Sequence, residues 1–198
     1  VYNMEDKVET CVQALTNQTY QNIEIILVDD GSKDNSFICC QNLALRDNRI
    51  RVFHTENHGS GPARNYGIEQ AAGDYIYFPD ADDYLDPKAL EILEKVMREG
   101  NSDLVVFGFK NIFTDGTVKY IKKYSKSLKN GCEIRSNYSE YMTTVSKFGI
   151  QGAPWNKLFD LNLIKQHDLR YPALRRHQDE GFIARYMSFA QHVHFIPD

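Results

Sequence analysis

Asp80, Asp82 and Asp83 lie in "PDADDY", directly behind the aromatic run "DYIYF". Three carboxylates this close repel one another, so their placement requires a counter-charge or free solvation. A second acidic pair, Asp29 and Asp30, follows the apolar run "IEIILV". Both groups stand where a strand is expected to stop, and in open parallel sheets ligands bind outside the carboxyl ends of the strands. Two such ends facing one crevice would attract a divalent cation. Hard carboxylate oxygens suit Mg²⁺ or Mn²⁺, and Mg²⁺ is commonly held by one or two carboxylates together with substrate phosphates. Alone, Asp and Gly after a strand are also ordinary turn formers. The chemistry therefore rests on what accompanies them.

The elements that must position these side chains are written in the hydrophobic pattern. Val8, Cys11, Val12 and Leu15 recur at three- and four-residue steps, which predicts a helix over 4–17. The continuous β-branched run 23–28 predicts a strand covered on both faces, stopped by "DDGS". Phe37, Cys40, Leu43 and Ala44 mark a second helix, and 50–54 a second strand. "GSGPARNYGIEQAA" opens a third helix, with Pro62 suited to its first turn. Its small residues Ala63, Gly67 and Ala71 allow close packing on a sheet. A strand over 74–78, a helix over 86–99 capped by Asp86 with Pro87 at its start, and a strand over 102–109 follow. Asp115-Gly116 reads as a hairpin turn.

Alternation of helix and strand through residue 110 predicts an α/β fold with an open, mostly parallel sheet flanked by helices. From 111 the rhythm breaks into a hairpin, a loop and a helix near 136–147. Two short helices follow "GAPWNKLF", and then "VHFIP". These are expected to form a smaller second lobe.

The 198 residues suffice for one sizeable core. A net charge of −4, with no Lys/Arg run interleaved with aromatics at a base-reading spacing, argues against a nucleic-acid partner. The densest basic stretch, Lys119 to Lys129, reads as a solvated loop able to touch an anionic surface. No apolar run approaches bilayer length, no signal peptide opens the chain, and Cys11, Cys39, Cys40 and Cys132 lack metal spacing. A reduced, cytoplasmic setting is expected, with peripheral contact at the inner face of a membrane left open.

The companions of the acidic clusters come in a particular order: "VYN", "NQTYQNIEIILVDDGSKDNS", "NHGSGPARNYGIEQAAGDYIYFPDADD", "WNKLF" and "HQDEGF". Together they closely resemble family 2 glycosyltransferases of the GT-A fold, of the bacterial capsule and exopolysaccharide type. The resemblance covers nearly the whole chain, most strongly over 17–90 and most weakly over 110–150. It implies a nucleotide-sugar-binding half over 1–110 and an acceptor-binding half carrying the catalytic base over 111–198.

The implied donor is a nucleotide diphosphate sugar, here a UDP-sugar, and the implied acceptor a saccharide or a lipid-linked one. Tyr2 matches the aromatic that stacks on the base. Asp30 matches the carboxylate that accepts a base N–H such as that of uracil. Arg64 stands where a guanidinium fork meets the diphosphate. "DADD" is the family's DxD: Asp80 would face the ribose hydroxyls and Asp82 would ligate Mn²⁺ or Mg²⁺, with Asp83 beside it an alternative ligand or a cap on the next turn. The cation neutralises charge that grows as the diphosphate leaves. Asp179 matches the base of the family's E-D-x-x-F element, with Gln178 in place of the usual Glu, Glu180 adjacent and Phe182 aligned. Trp155, the only tryptophan, is a core anchor or an aromatic lining the acceptor groove. The implied mechanism is a single inverting displacement with Asp179 as base.

Other classes are distinguishable. A degenerate nucleotide-sugar binder would keep Tyr2, Asp30 and Asp80 and could dispense with Asp179. An aspartyl phosphatase wants Thr or Val where this chain reads "DADDYLD", and a sugar-nucleotide pyrophosphorylase needs an Arg-containing glycine loop that "VYNMED" lacks.

Overall fold

The computed structural model describes residues 1–113, 115–143 and 146–197. Strand β1 (Ile25–Asp30) pairs in parallel with β2 (Ile50–Thr55), in register from Ile25 opposite Ile50 to Asp30 opposite Thr55. Helices α1 (Val8–Thr16) and α2 (Ser36–Arg46) bury Val8, Val12, Cys40 and Leu43 against Ile25, Leu27 and Ile50. The alternate residue Ile26 packs against the cluster that holds Ile68 of α3 (Ser60–Gln70). Continuous apolarity in β1 thus has the expected cause, since both its faces are covered.

The larger sheet takes the order β3 (Tyr75–Tyr77), β8 (Lys157–Asp160), β4 (Leu104–Phe107), β9 (His192–Ile196), β7 (Ser127–Asn130). On one side, α4 (Ala89–Gly100) packs Leu93 and Met97 on Val105, Leu158 and Ile196. On the other, α8 (Gln178–Met187) packs Phe182 and Tyr186 on Leu104, Phe159 and Phe195. The result is an α/β architecture, an open sheet between helices. Pairings across the two sheets are mixed: β1–β2 in the smaller and β4–β9 in the larger are parallel, while β8 runs antiparallel to both β3 and β4, and β7 to β9. Because β8 and β9 lie in one sheet with β3 and β4, the two halves of the chain share a core.

Several local expectations shift. The first strand continues through Asp29 and Asp30 rather than stopping before them. The expected strand over 102–109 breaks at Gly108, where a Cβ would stand 2.0 Å from the carbonyl oxygen of Pro197, and the chain leaves the sheet to form the hairpin β5 (Phe109–Ile112) and β6 (Val118–Lys122). Gly116, at φ +85°, makes the expected turn. Asp86 does not cap α4: its side chain accepts the Lys88 amide in the turn before the helix, and Lys88 is the N-cap. The single helix expected near 136–147 is two short ones, α5 (Gly131–Ser136) and α6 (Tyr138–Tyr141), with Thr144 and Val145 outside the described residues. Lys119 to Lys129 is solvated but lies largely in β6 and β7 rather than in a loop. Between "GAPWNKLF" and the last strand, α7 (Leu161–Gln166) and α8 are the two expected helices. All four cysteines are unpaired, and Cys132 is exposed.

Candidate active site

Helix α3 opens at the ends of β1 and β2. Its N-cap, Gly59, sits at φ +96°, a left-handed conformation that favours glycine. The loop before it is fixed by Asp30, whose Oδ1 accepts the amide of His58 at 2.9 Å and whose Oδ2 accepts that of Gly59 at 2.8 Å. Asp30 is 4% exposed. Its first job is therefore to hold the start of α3, and each oxygen keeps one acceptor direction for a ligand.

One turn into α3, the Arg64 guanidinium reaches two carboxylates. Nη1 donates to Asp179 Oδ1 at 2.7 Å, and Nη2 donates to Asp80 Oδ1 at 2.9 Å. Asp80 follows β3, and Asp179 lies in the first turn of α8. The guanidinium also lies over the ring of Tyr171, 5.4 Å from its centroid. Tyr171 in turn stacks on Phe182 at 4.2 Å, with the rings 3° from parallel. Phe182 is fully buried, so the aromatic three positions beyond Asp179 anchors the helix that carries it.

Gln178 Nε2 donates to Ser60 Oγ, tying the start of α8 to the start of α3. Gly61 makes room for this, since a Cβ there would lie 2.3 Å from Gln178 Oε1. The amide at 178 joins the two helices without adding a charge next to Asp179. Burial pushes the Asp179 carboxyl above its ordinary range, with Arg64 acting in the opposite direction. A carboxylate so placed is a better proton acceptor than a solvated one.

The acidic loop closes on itself. Asp83 Oδ2 accepts the Asp80 amide at 3.1 Å, while the Asp83 amide donates to the Asp80 carbonyl at 3.0 Å. Burial pushes Asp83 up to about 6, the Asp80 amide opposing this and the charges of Asp80 and Asp82 adding to it. Asp82 is exposed and paired with the ammonium of Lys7 at 3.3 Å. Among the described residues no group of three or more His, Cys, Asp or Glu is assembled to hold a metal ion. The hard oxygens of Asp82 and Asp83 fit a dication only as a partial set, which further oxygen ligands would have to complete. In this structure the counter-charge to Asp82 is the Lys7 ammonium.

Tyr2 is 41% exposed at the same end of β1. The Asp30 amide donates to the Val1 carbonyl at 2.9 Å, and the Lys33 amide to Asn3 Oδ1 at 2.9 Å, so the first residues are clipped to the "DDGS" loop. Asp29 is wholly buried, its Oδ2 taking the Ser32 amide and His54 Nδ1, and it faces inward rather than into the cleft. The structure thus joins Arg64, Asp80 and Asp179 directly. Asp82 and Asp83 share a loop with Asp80, and Asp30 and Tyr2 connect through the backbone around α3 and β1.

Sequence reasoning missed Lys7, Tyr171 and Lys157. Lys157, in β8, is 1% exposed, and its Nζ donates to the Ala153 carbonyl at 2.8 Å and to Asn156 Oδ1 at 2.7 Å. Burial pushes its ammonium down to about 7, the charge of Asp179 acting against that shift. The fold favours the neutral amine. Its contribution to stability is fully present above the ordinary lysine value of 10.5 and is lost as pH falls toward about 7. We predict that the stability of Lys157→Met relative to the parent chain rises by about 2–4 kcal/mol between pH 10 and pH 7. Paired urea titrations at the two pH values measure this, and a pH-independent difference would show that the lysine is not neutralised by folding.

An open α/β sheet brings Arg64 of α3, Asp80 after β3 and Asp179 of α8 together, with Asp82 and Asp83 in the same loop, on a GT-A architecture. The chain belongs to glycosyl transferase family 2, whose family model matches residues 1–150. EpsH of Bacillus subtilis (strain 168) is 34% identical over 99% of this chain and 56% of its own length. Among solved structures, S. aureus TarS 1-349 in complex with UDP superposes on all of this chain with a TM-score of 0.81 at 22% identity, covering 56% of the TarS chain. The mannosyltransferase PcManGT from Pyrobaculum calidifontis, in complex with GDP-Man and Mn²⁺, does so with a TM-score of 0.71 at 15% identity, covering 53% of its own chain. This chain therefore spans about half the length of the relatives it matches. No helix among the described residues is long and apolar enough to cross a membrane.

Proposed function

We propose that this chain carries the donor site and catalytic base of an inverting glycosyltransferase, moving a sugar from a nucleotide diphosphate sugar, most simply a UDP-sugar, to a hydroxyl of a saccharide or lipid-linked acceptor. One observation carries the reading: a single guanidinium, Arg64, joins Asp80 of the DxD loop to Asp179, 99 positions further along the sequence. That contact brings a donor-side carboxylate and a proton acceptor into one cleft. The complexes of TarS with UDP and of PcManGT with GDP-Man and Mn²⁺ support a nucleotide donor and a dication.

In this reading Tyr2 stacks on the base, and Asp30 holds the α3 loop while offering its remaining lone pairs to a base N–H. Asp80 faces the ribose, and Arg64 turns part of its fork to the diphosphate when the donor arrives. Asp82, with Asp83 beside it, would hold Mn²⁺ or Mg²⁺, which supplies positive charge against the leaving diphosphate when bound. Asp179 takes the acceptor proton as the oxygen attacks the anomeric carbon from the face opposite the leaving group, so configuration inverts. Residues 1–110 serve the donor and 111–198 the acceptor and base. A cytoplasmic role in capsule or exopolysaccharide assembly is consistent with these parts.

Thermal shift against a panel of nucleotide diphosphate sugars, with and without Mn²⁺, tests the donor. We predict stabilisation by one nucleotide class and a larger shift with Mn²⁺. Asp82→Ala should abolish the Mn²⁺-dependent part and leave the metal-free shift. An undiminished Mn²⁺ effect would move the ligand role to Asp83, and no shift by any donor would overturn the reading.

A further inference from the structure

The β5–β6 hairpin stands apart from both sheets and has the opposite charge to the rest of the molecule. Residues 109–122 carry Lys110, Lys119 and Lys122 against the single Asp115, a formal +2 in a chain whose net charge is −4. The same segment exposes Ile112, Phe113, Val118, Tyr120 and Ile121. An exposed apolar group of this extent on a soluble domain marks a contact surface.

The hairpin has an attached side and a free side. Phe109 packs edge-on against Trp155, ring centroids 4.5 Å apart, and against Tyr120 at 5.8 Å, which fixes the base of the hairpin to the loop before β8. Trp155 is therefore an anchor for the hairpin. Lys110 lies opposite Ile121 and Ile112 opposite Val118, and all four are exposed. Lys119 extends over the ring of Phe113, 5.7 Å from its centroid. Lys122 caps the Lys147 carbonyl at 2.7 Å and so stays with the body of the protein.

Interleaved lysines and apolar side chains match a surface that is anionic at its face and apolar just beneath. Lysine ammonium groups reach the headgroups while their stems and the neighbouring Ile and Phe enter the acyl boundary. Tyr120 suits the headgroup level. We propose that the β5–β6 hairpin docks this chain on an anionic phospholipid bilayer. The proposal rests on the hairpin itself and stands or falls separately from the transferase reading, because the assay needs no donor.

Co-sedimentation of the whole chain with phosphatidylcholine vesicles, and with vesicles containing phosphatidylglycerol, tests it. Expected is binding to the phosphatidylglycerol vesicles only, weakened at least tenfold by 0.5 M salt (roughly the regime where screening reaches a few ångströms). Lys110→Glu with Lys119→Glu should lower that binding at least tenfold, and Ile121→Ser should lower it without changing the salt dependence. Lys88→Glu with Lys95→Glu, which changes net charge equally on α4 and the turn before it, should leave binding close to the parent level. Equal binding to both vesicle types, an equal loss from the two charge-reversal pairs, or no binding at all would overturn the proposal. The last result would assign the hairpin to a protein partner.

Discussion

Asp179→Asn lowers transfer by about 10²–10⁴-fold, the usual contribution of a positioned general base, and leaves donor affinity nearly unchanged. This prediction follows from where the side chain sits. Asp179 is held by Arg64 and carried by a helix that Phe182 anchors, and it lies outside the DxD loop. The amide is isosteric and can still contact the guanidinium through its oxygen, so the fold is retained. Initial rates at saturating acceptor, together with donor titration by calorimetry, separate the two quantities. Equal loss of both would remove Asp179 as the base and leave a donor-binding role. The parent rate should also fall on the acid side, as Asp179 is protonated, and that limb lies above the ordinary carboxylate range because burial raises the group.

Arg64→Gln is the second large effect. Gln cannot span two carboxylates, so Asp80 and Asp179 face one another without their shared cation. We predict a loss of about 1–2 kcal/mol of stability at neutral pH, less than for a fully buried pair because Asp80 is half exposed. Transfer is largely lost as well. The distinguishing readout is the residual rate against pH. Arg64 works against burial in setting the Asp179 ionisation, so its removal moves the acid limb to higher pH. Arg64→Lys should restore part of the stability but not the rate, since a point charge lacks the fork. An unmoved acid limb would mean that Arg64 does not govern the ionisation of the base.

The readable parts of this molecule were those coded locally. Three- and four-residue apolar spacing marked α1 and α2, and "IEIILV" marked a strand covered on both faces. The DxD loop and the Asp179 element were visible as ordered motifs because their spacing along the chain is what recurs. Contacts between distant residues were not visible. Nothing near Arg64 indicates that one guanidinium meets both Asp80 and Asp179, and nothing in "PWNKLF" indicates that Lys157 is buried with its ammonium on the Ala153 carbonyl and Asn156. The strand β8 is only four residues long and is stabilised by its two neighbours, so its local pattern is too short to read. The Asp30 carboxylate looked free for a ligand because its partners are backbone amides of residues 58 and 59, which leave no side-chain signature. The boundary errors at Asp86 and Gly108 have the same origin: a turn and a close backbone approach decided by neighbours elsewhere.

The antiparallel insertion of β8 also has a consequence for how the molecule is assembled. Ile76, just ahead of the DxD loop, meets no sheet neighbour until Phe159 arrives, and Val105 waits for Leu158. As the chain emerges from the ribosome, β1 and β2 can join early, while the strand leading to the Asp80–Asp83 loop remains unpaired until most of the polypeptide exists. A fragment cut at residue 150, where the family match ends, would lack the strand that zips β3 to β4. The portion that the family model matches therefore lacks part of its own sheet, and the strand before the Asp80–Asp83 loop is paired only by later sequence.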